Sequence, residues 1–158
     1  GVVLGSIIRF FRGSKSRSQL LANLSTGSFN KSVKDPVIKN QWLSSNKENV
    51  EKYNLDPLCG LTWTTAGYID LFKSLNSLGK IKDYNITNEN LPFLFVAGED
   101  DPVTGGSSGL NNSFKLLNKA GYNNLERITY PEMRHEILNE KASALVTKDI
   151  IDFYNKKA

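Results

Sequence analysis

The sequence is poor in cysteine and histidine, and each shortage excludes a class of protein. A single cysteine, Cys59, excludes an internal disulfide framework and suits a reducing compartment. None of its immediate neighbours carries a positive charge that would activate a thiol, so Cys59 is predicted to be a small buried apolar residue. A single histidine among scattered carboxylates lacks the spacing of a zinc site. We therefore predict neither a metal nor another cofactor.

Long apolar runs and a secretory signal are also missing from the sequence. No run approaches the roughly 20 apolar residues that span a bilayer. The opening stretch 1–11 (GVVLGSIIRFF) is apolar, but no basic region precedes it and no small-residue cleavage site follows it. Position 1 is not methionine, so we expect either a processed chain or a piece of a longer one. A cytoplasmic location is predicted.

The composition is that of an ordinary globular protein. With 158 residues, 39% apolar and 23% charged, the chain suits one domain, or a domain with an appendage, rather than a disordered segment. The net charge is +4, and basic residues cluster in 9–17 (RFFRGSKSR). A nucleic-acid-binding patch would lie on a known module or alternate with base-stacking aromatics, so no nucleic-acid partner is predicted. A solvated basic face, or peripheral contact with an anionic membrane surface, accounts for the cluster instead.

The residue pattern changes near residue 85. Before this point, segments 6–12, 18–24, 46–53 and 64–78 have the spacing of short helices. Three of these segments begin with a residue suited to a helix N-cap, namely Ser18, Asn46, and Thr64 or Thr65. The segment 64–78 carries the clearest apolar stripe and ends at Gly79.

After residue 85 the sequence alternates strand and helix. The run 91–98 (LPFLFVAG) is apolar throughout, which is typical of a strand covered on both faces. Predicted helices at 109–120 and 141–156 flank a second strand at 125–130 (LERITY). This order predicts an α/β fold with a parallel sheet. Because two parallel strands do not make a stable sheet alone, further strands are expected from outside these residues.

Polar side chains follow both predicted strands. Glu99, Asp100 and Asp101 come directly after the first, and His135, the only histidine, follows the second. The carboxyl ends of parallel strands meet at one edge of a sheet, where reactive groups gather. A carboxylate there can orient an imidazole, which then serves as general base and acid. A lone loop histidine is nearly as often structural or merely exposed, so the residue pattern by itself leaves both interpretations open.

Three segments in combination are specific: YNLDPLCG at 53–60, GEDDPV at 98–103 and RHEILNE at 134–140. With them the chain resembles the monoacylglycerol lipase and bacterial lysophospholipase group, in the serine-aminopeptidase-like branch of the α/β-hydrolases. The similarity continues through FNKSVKDP and GYIDLFKSL and so covers nearly all of the chain. It implies a helical cap over residues 1–63 and the last two strands and helices of a hydrolase core over 64–158.

The resemblance implies roles for individual residues. The triad acid falls on Asp101, immediately before Pro102, and the triad histidine falls on His135. Glu99 and Asp100 would add negative charge without a direct role.

Further residues match the pattern without an implied catalytic role. Glu136 and Glu140 precede the last helix, where a capping role is favoured. Asn30, Trp42 and the segment 55–62 belong to the cap, where packing is favoured over substrate contact.

The family also needs a nucleophilic serine in G-x-S-x-G on a strand-to-helix elbow. A formal match occurs at 105–109 (GGSSG), but a loop rather than a strand precedes it. Ser107 follows Asp101 by only six residues, so acid and nucleophile could hardly take opposite sides of His135. Ser107 is therefore predicted to lie at a helix N-terminus. The nucleophile, the oxyanion hole and most of the sheet are expected in a missing N-terminal half.

The implied reaction is hydrolysis of carboxylic esters of lipids, either lysophospholipid or monoacylglycerol, through an acyl-enzyme. These 158 residues alone are expected to be inactive and to self-associate through the unpaired edge of the first strand. One alternative is a peptidase or non-lipid esterase on the same fold. The other is a non-catalytic binding domain that has lost the nucleophile.

Overall fold

The computed structural model describes residues 1–34 and 36–157, and within them it contains helices and a two-stranded sheet. No helix in these ranges has both the length and the apolar composition of a membrane span. The helices are α1 (Val2–Arg12), α2 (Gln19–Ser25), α3 (Lys47–Leu55), α4 (Thr65–Leu78), α5 (Gly106–Ala120) and α6 (Ser143–Lys157). The strands are β1 (Phe93–Gly98) and β2 (Leu125–Tyr130), and 3-10 turns cover Phe29–Ser32, Gln41–Leu43, Ile81–Asp83, Pro102–Thr104 and Ile137–Asn139.

The helix boundaries follow the predicted caps closely. Oγ of Ser18 accepts a hydrogen bond from Leu21 N at 3.4 Å, and Oγ1 of Thr64 accepts one from Gly67 N at 3.2 Å. Asn46 precedes α3 as predicted, but its side chain makes no capping bond. Gly79 ends α4 as predicted. Short-range hydrogen-bonding preferences therefore place these helices.

α1 packs against α4 through a glycine. A Cβ on Gly5 would lie 2.6 Å from Cγ1 of Ile69, so a larger residue would push the two helices apart. Thr65, which is fully buried at the start of α4, donates its backbone N–H to the Ser16 carbonyl at 2.7 Å. α1 and the loop after it are thus fixed to α4. The boundary at residue 63 between cap and core remains a prediction.

β1 and β2 are parallel neighbours joined through α5. Their register runs from Phe93 opposite Leu125 to Gly98 opposite Tyr130. This confirms the predicted α/β class and the predicted strand-helix-strand order. Only Ala97 and Gly98 of β1 are buried, while Phe93–Val96 stay half-buried. The described residues therefore do not cover this apolar strand on both faces.

The main core cluster fixes the carboxyl end of β2. Tyr130, Met133 and Val146 form its centre, with Val96, Ile128, Ile137 and Ile150 packed around them. Oη of Tyr130 donates a hydrogen bond to Asp149 of α6 at 3.1 Å. Burial and this carboxylate raise the pKa of Tyr130 to about 12, so the phenol remains a donor at neutral pH. The loop that follows β2 therefore starts from a rigid position.

Candidate active site

Asp101 lies in the tight turn that follows β1. Its side chain is only 6% exposed, and Oδ1 accepts a hydrogen bond from Val103 N at 2.8 Å. Oγ1 of Thr104 donates to the Asp101 carbonyl at 2.8 Å and closes the 3-10 turn. One carboxylate oxygen is thus used by the turn itself. The other oxygen, Oδ2, is directed at the loop that follows β2.

The loops after β1 and β2 touch over several residues. The backbone N–H of Glu99 donates to the Tyr130 carbonyl, and that of Asp100 donates to the Met133 carbonyl, both at 3.0 Å. Gly98 permits this approach, because a Cβ there would overlap the carbonyl oxygens of Met133 and Arg134. The loop that carries His135 therefore lies directly on the end of β1.

Asp101 and His135 meet at this junction. Oδ2 of Asp101 lies 3.1 Å from Nδ1 of His135, as the sequence predicts. This hydrogen bond raises the pKa of His135; burial opposes the shift, and the negative charges of Asp101 and Glu136 add to it. The imidazole remains 41% exposed. When Nδ1 carries the proton shared with the carboxylate, Nε2 is free to accept one.

An aromatic side chain from the first half of the chain packs on the same imidazole. The rings of Trp42 and His135 have centroids 5.2 Å apart and are tilted by 42°. The backbone N–H of Trp42 donates to Oδ1 of Asn30 at 3.1 Å, and the side-chain amide of Asn30 donates to the Ile38 carbonyl at 3.2 Å. Asn30 thus links Ile38 to Trp42 through its side-chain amide. The contact between Trp42 and His135 was not predicted.

Trp42 also lines a cavity. Its volume is about 420 Å³, and it is bounded by residues of α2, α3 and α4. Its wall combines aromatic and aliphatic surface with amide groups. The residues concerned include Asn23, Asn40, Trp42, Tyr53, Leu61, Trp63, Tyr68 and Leu71.

The predicted helix-capping role of Glu136 and Glu140 is wrong. The carboxylate of Glu140 is buried and accepts hydrogen bonds from Ser45, Asn46 and Arg134. Burial alone would raise the pKa of Glu140, but the bonds from Ser45 and Arg134 outweigh it and lower that pKa. Glu140 accepts backbone N–H groups that precede α3, and Glu136 accepts the side-chain amides of Asn49 and Asn139.

The remaining candidates stand apart from the pair. Oε1 of Glu99 accepts a hydrogen bond from Thr129 at 3.1 Å, and Asp100 is exposed. Ser107 lies in the first turn of α5, and within residues 1–34 and 36–157 no hydroxyl group is hydrogen-bonded to the His135 ring. Cys59 is half-buried rather than buried.

The described part of the chain contains no cluster of three His, Cys, Asp or Glu side chains suited to a metal ion. Separately, the imidazole of His135, oriented by Asp101, can transfer protons.

Sequence comparison identifies the family. The family described as serine aminopeptidase, S33 matches residues 9–142, and no curated protein matches significantly.

Solved structures give the fold. A thermostable carboxyl esterase from Bacillus coagulans in complex with glycerol superposes with a TM-score of 0.80 at 20% identity, covering 98% of this chain and 51% of that one. A lipase in an open form has a TM-score of 0.79 at 20% identity, with 98% and 50% covered. A monoacylglycerol lipase from Paleococcus ferrophilus has a TM-score of 0.59 at 18% identity, with 88% and 52% covered. The chain thus has the fold of part of an α/β-hydrolase and spans about half the length of these proteins.

Proposed function

Because the chain belongs to the serine aminopeptidase S33 family of α/β-hydrolases, we propose that Asp101 and His135 are the acid and the base of a serine hydrolase triad. One observation carries this proposal. A buried carboxylate and an exposed imidazole are hydrogen-bonded at 3.1 Å where two neighbouring parallel strands end. Open α/β sheets hold their reactive groups at this edge.

The geometry suits acyl transfer in two steps. Nε2 of His135 takes the proton of a serine hydroxyl while the serine oxygen attacks the ester carbonyl carbon. The imidazolium then gives this proton to the leaving alcohol, and an acyl-enzyme remains. A water molecule attacks the acyl group in the same way and releases the acid. Asp101 keeps the imidazole in the required tautomer and stabilises the imidazolium, which agrees with the raised pKa of His135.

The serine of this proposal comes from outside residues 1–158. Ser107, the one formal motif match, occupies a helix turn beside the acid and makes no bond to His135. The β1–β2 pair also needs further strands for a stable sheet. We propose that the same outside residues supply the nucleophile, the oxyanion donors and these strands. Residues 1–158 alone are then inactive.

The proposed substrate is a carboxylic ester of a lipid, either monoacylglycerol or lysophospholipid. Support comes from α1, whose residues Val3, Ile7, Phe10 and Phe11 form an exposed apolar stripe at helical spacing. Residues 1–34 contain no Asp or Glu, so every charged side chain in this part of the sequence is basic. An apolar stripe with basic flanks suits contact with anionic lipid headgroups. The similar structures named above are an esterase, a lipase and a monoacylglycerol lipase.

The test compares two neighbouring carboxylates in the complete natural protein that contains these residues. Hydrolysis of monoacylglycerol, lysophospholipid, a short-chain 4-nitrophenyl ester and an aminoacyl amide is followed for Asp101→Asn and Asp100→Asn. We expect ester turnover to fall on the order of 10⁴-fold in Asp101→Asn, because the imidazole adopts the wrong tautomer. Asp100→Asn, an exposed neighbour with the same charge change, should stay within a few-fold. Equal effects would remove Asp101 from the triad, and preferred cleavage of the amide would favour a peptidase.

A further inference from the structure

The loop segment 134–140, which carries His135, is hydrogen-bonded along its length to segment 41–49. These segments are far apart in sequence, and the second one also supplies Trp42, whose ring packs on His135. Donors and acceptors on both sides are paired, so the two segments form one polar unit. Besides the contacts of Glu140, Nη1 of Arg134 donates to the carbonyl oxygens of Gln41 at 2.7 Å and Ser44 at 3.1 Å. The backbone N–H of Glu136 donates to the Leu43 carbonyl at 2.8 Å, and Nδ2 of Asn49 donates to Oε2 of Glu136 at 2.7 Å.

Glu140 lies at the centre of this unit and is only 4% exposed. Its Oε1 accepts the backbone N–H groups of Ser45 at 2.8 Å and Arg134 at 3.0 Å. Its Oε2 accepts the hydroxyl of Ser45 at 2.8 Å and the backbone N–H of Asn46 at 3.1 Å. A carboxylate has about four acceptor positions, and all are used. One bond thus reaches the residue before His135, and three reach the residues before α3.

These contacts require a carboxylate in particular. Every partner of Glu140 is a donor, and none is a cationic side chain. A glutamine would place its own N–H groups against two of those donors, and the bonds on one oxygen would be lost. Helix capping of α6 does not explain these four hydrogen bonds. The four donors do explain why the charged side chain of Glu140 is buried beside the candidate site.

We propose that Glu140 is a positioning residue for His135, which rests on the proposed function of His135 as the base. Glu140 touches neither the imidazole nor the reacting atoms. It fixes the backbone of Arg134 to Ser45 and Asn46, and so holds the ring between Asp101 on one side and Trp42 on the other. The segment with Trp42 and the base therefore keep one relative position, and disturbance of either segment moves the other.

The position of the ring can be measured through the titration of His135. Nuclear magnetic resonance of the complete natural protein with 13C-labelled histidine follows this titration, and His135→Ala identifies its resonance. The charged groups that act on its ring are Asp101 and Glu136. In Glu140→Gln we expect the pKa of His135 to fall toward the ordinary histidine value, because the ring loses its fixed place against Asp101. Glu132→Gln removes the same charge from an exposed site in the same loop and should leave the titration unchanged.

A milder variant keeps the test decisive if Glu140→Gln does not fold. Ser45→Ala removes one donor to Glu140 and leaves the backbone bond in place. We expect a smaller fall of the His135 pKa in the same direction, with the fold checked by circular dichroism. An unchanged titration in folded Glu140→Gln, or in Ser45→Ala where Glu140→Gln unfolds, would overturn the positioning role.

The titration does not depend on turnover, so it separates this inference from the proposed function. If ester hydrolysis by the complete natural protein requires His135 but the titration is unchanged in folded Glu140→Gln, the positioning role is refuted and the proposed function is not. A shifted titration, with no ester hydrolysis by the complete natural protein, supports the positioning of the ring and refutes the function. In the complete natural protein, Glu140→Gln should lower kcat roughly ten- to a hundredfold with little change in KM, because a misplaced base affects the chemical step.

Discussion

Oδ2 of Asp101 lies 3.1 Å from Nδ1 of His135, and these residues come from loops that follow adjacent parallel strands. The hydrogen bond that the His135 ring donates to this carboxylate is the main cause of the raised pKa of His135. Asp101→Asn should lower this pKa toward the ordinary histidine value, measured by a resonance titration of the single histidine. Asp100→Asn, with the same charge change in an exposed position, serves as the control. If the pKa of His135 stays raised in Asp101→Asn, a group other than Asp101 stabilises the protonated imidazole.

The same shift predicts the pH dependence of stability. A histidine whose pKa is higher in the folded state stabilises the fold fully below its unfolded pKa, and this contribution is lost as the pH rises through the folded pKa. The contribution of His135 should therefore decline between the ordinary histidine value and the raised folded value. Thermal unfolding at several pH values should show this decline, and His135→Ala should not. A contribution that grows with pH in that window would contradict the assignment.

Gly98 is expected to control the position of the His135 loop. Gly98→Ala should lower the free energy of unfolding by about 1–3 kcal/mol, because a methyl group must displace the carbonyl oxygens of Met133 and Arg134. Gly79→Ala is a suitable control, since its φ is −76° and nothing lies closer than 4.0 Å to the added carbon. Urea unfolding of both variants measures the difference. Equal stability of the two variants would mean that the loops are not in close contact.

The exposed stripe of α1 is expected to bind anionic lipid surfaces. The double change Phe10→Ser and Phe11→Ser should weaken binding to vesicles that contain phosphatidylserine by at least about tenfold, since each inserted aromatic ring contributes roughly 1.5–3 kcal/mol. Raising the salt concentration should weaken binding of the unaltered chain, because the basic residues around the stripe become screened. Leu55→Ser with Leu58→Ser removes equally exposed apolar side chains elsewhere and should have little effect. Equal loss in both double variants would exclude α1 as the contact.

The half-buried strand β1 predicts self-association of these 158 residues. Phe93, Leu94, Phe95 and Val96 remain partly exposed, and a strand with an unpaired edge is a template for pairing with another chain. Sedimentation at micromolar concentration should show dimers or larger species. A compact monomer with cooperative thermal unfolding would show that β1 needs no further cover.

Local patterns in the sequence predicted much of the fold. Ser18 and Thr64 cap the helices as expected, because the capping preference depends on a few consecutive residues. The sequence also predicted that the carboxylates after β1 and His135 lie close together, since the ends of adjacent parallel strands meet at one edge. The choice of Asp101 over Glu99 and Asp100 depended on the family resemblance.

Long-range contacts between segments 41–49 and 134–140 could not be predicted in this way. Glu140 accepts a hydrogen bond from Ser45, 95 residues away, and no local pattern marks either residue as a partner of the other. Glu140 was interpreted as a helix cap because it lies just before α6, where acidic residues are common. In the folded chain the carboxylate instead accepts hydrogen bonds from Ser45, Asn46 and Arg134, which are distant from α6 or lie before it in the loop. The contact between the Trp42 and His135 rings was missed for the same reason, because no local pattern distinguishes Trp42 from other packing residues.

The central claim is that Asp101 and His135 activate a serine that lies outside residues 1–158. The most direct test is labelling of the complete natural protein with a fluorophosphonate probe, followed by mass mapping of the modified peptide. The label should fall on one serine outside these residues and should be lost in His135→Ala, while residues 1–158 alone should remain unlabelled. A label on Ser107, or labelling that persists in His135→Ala, would contradict the account.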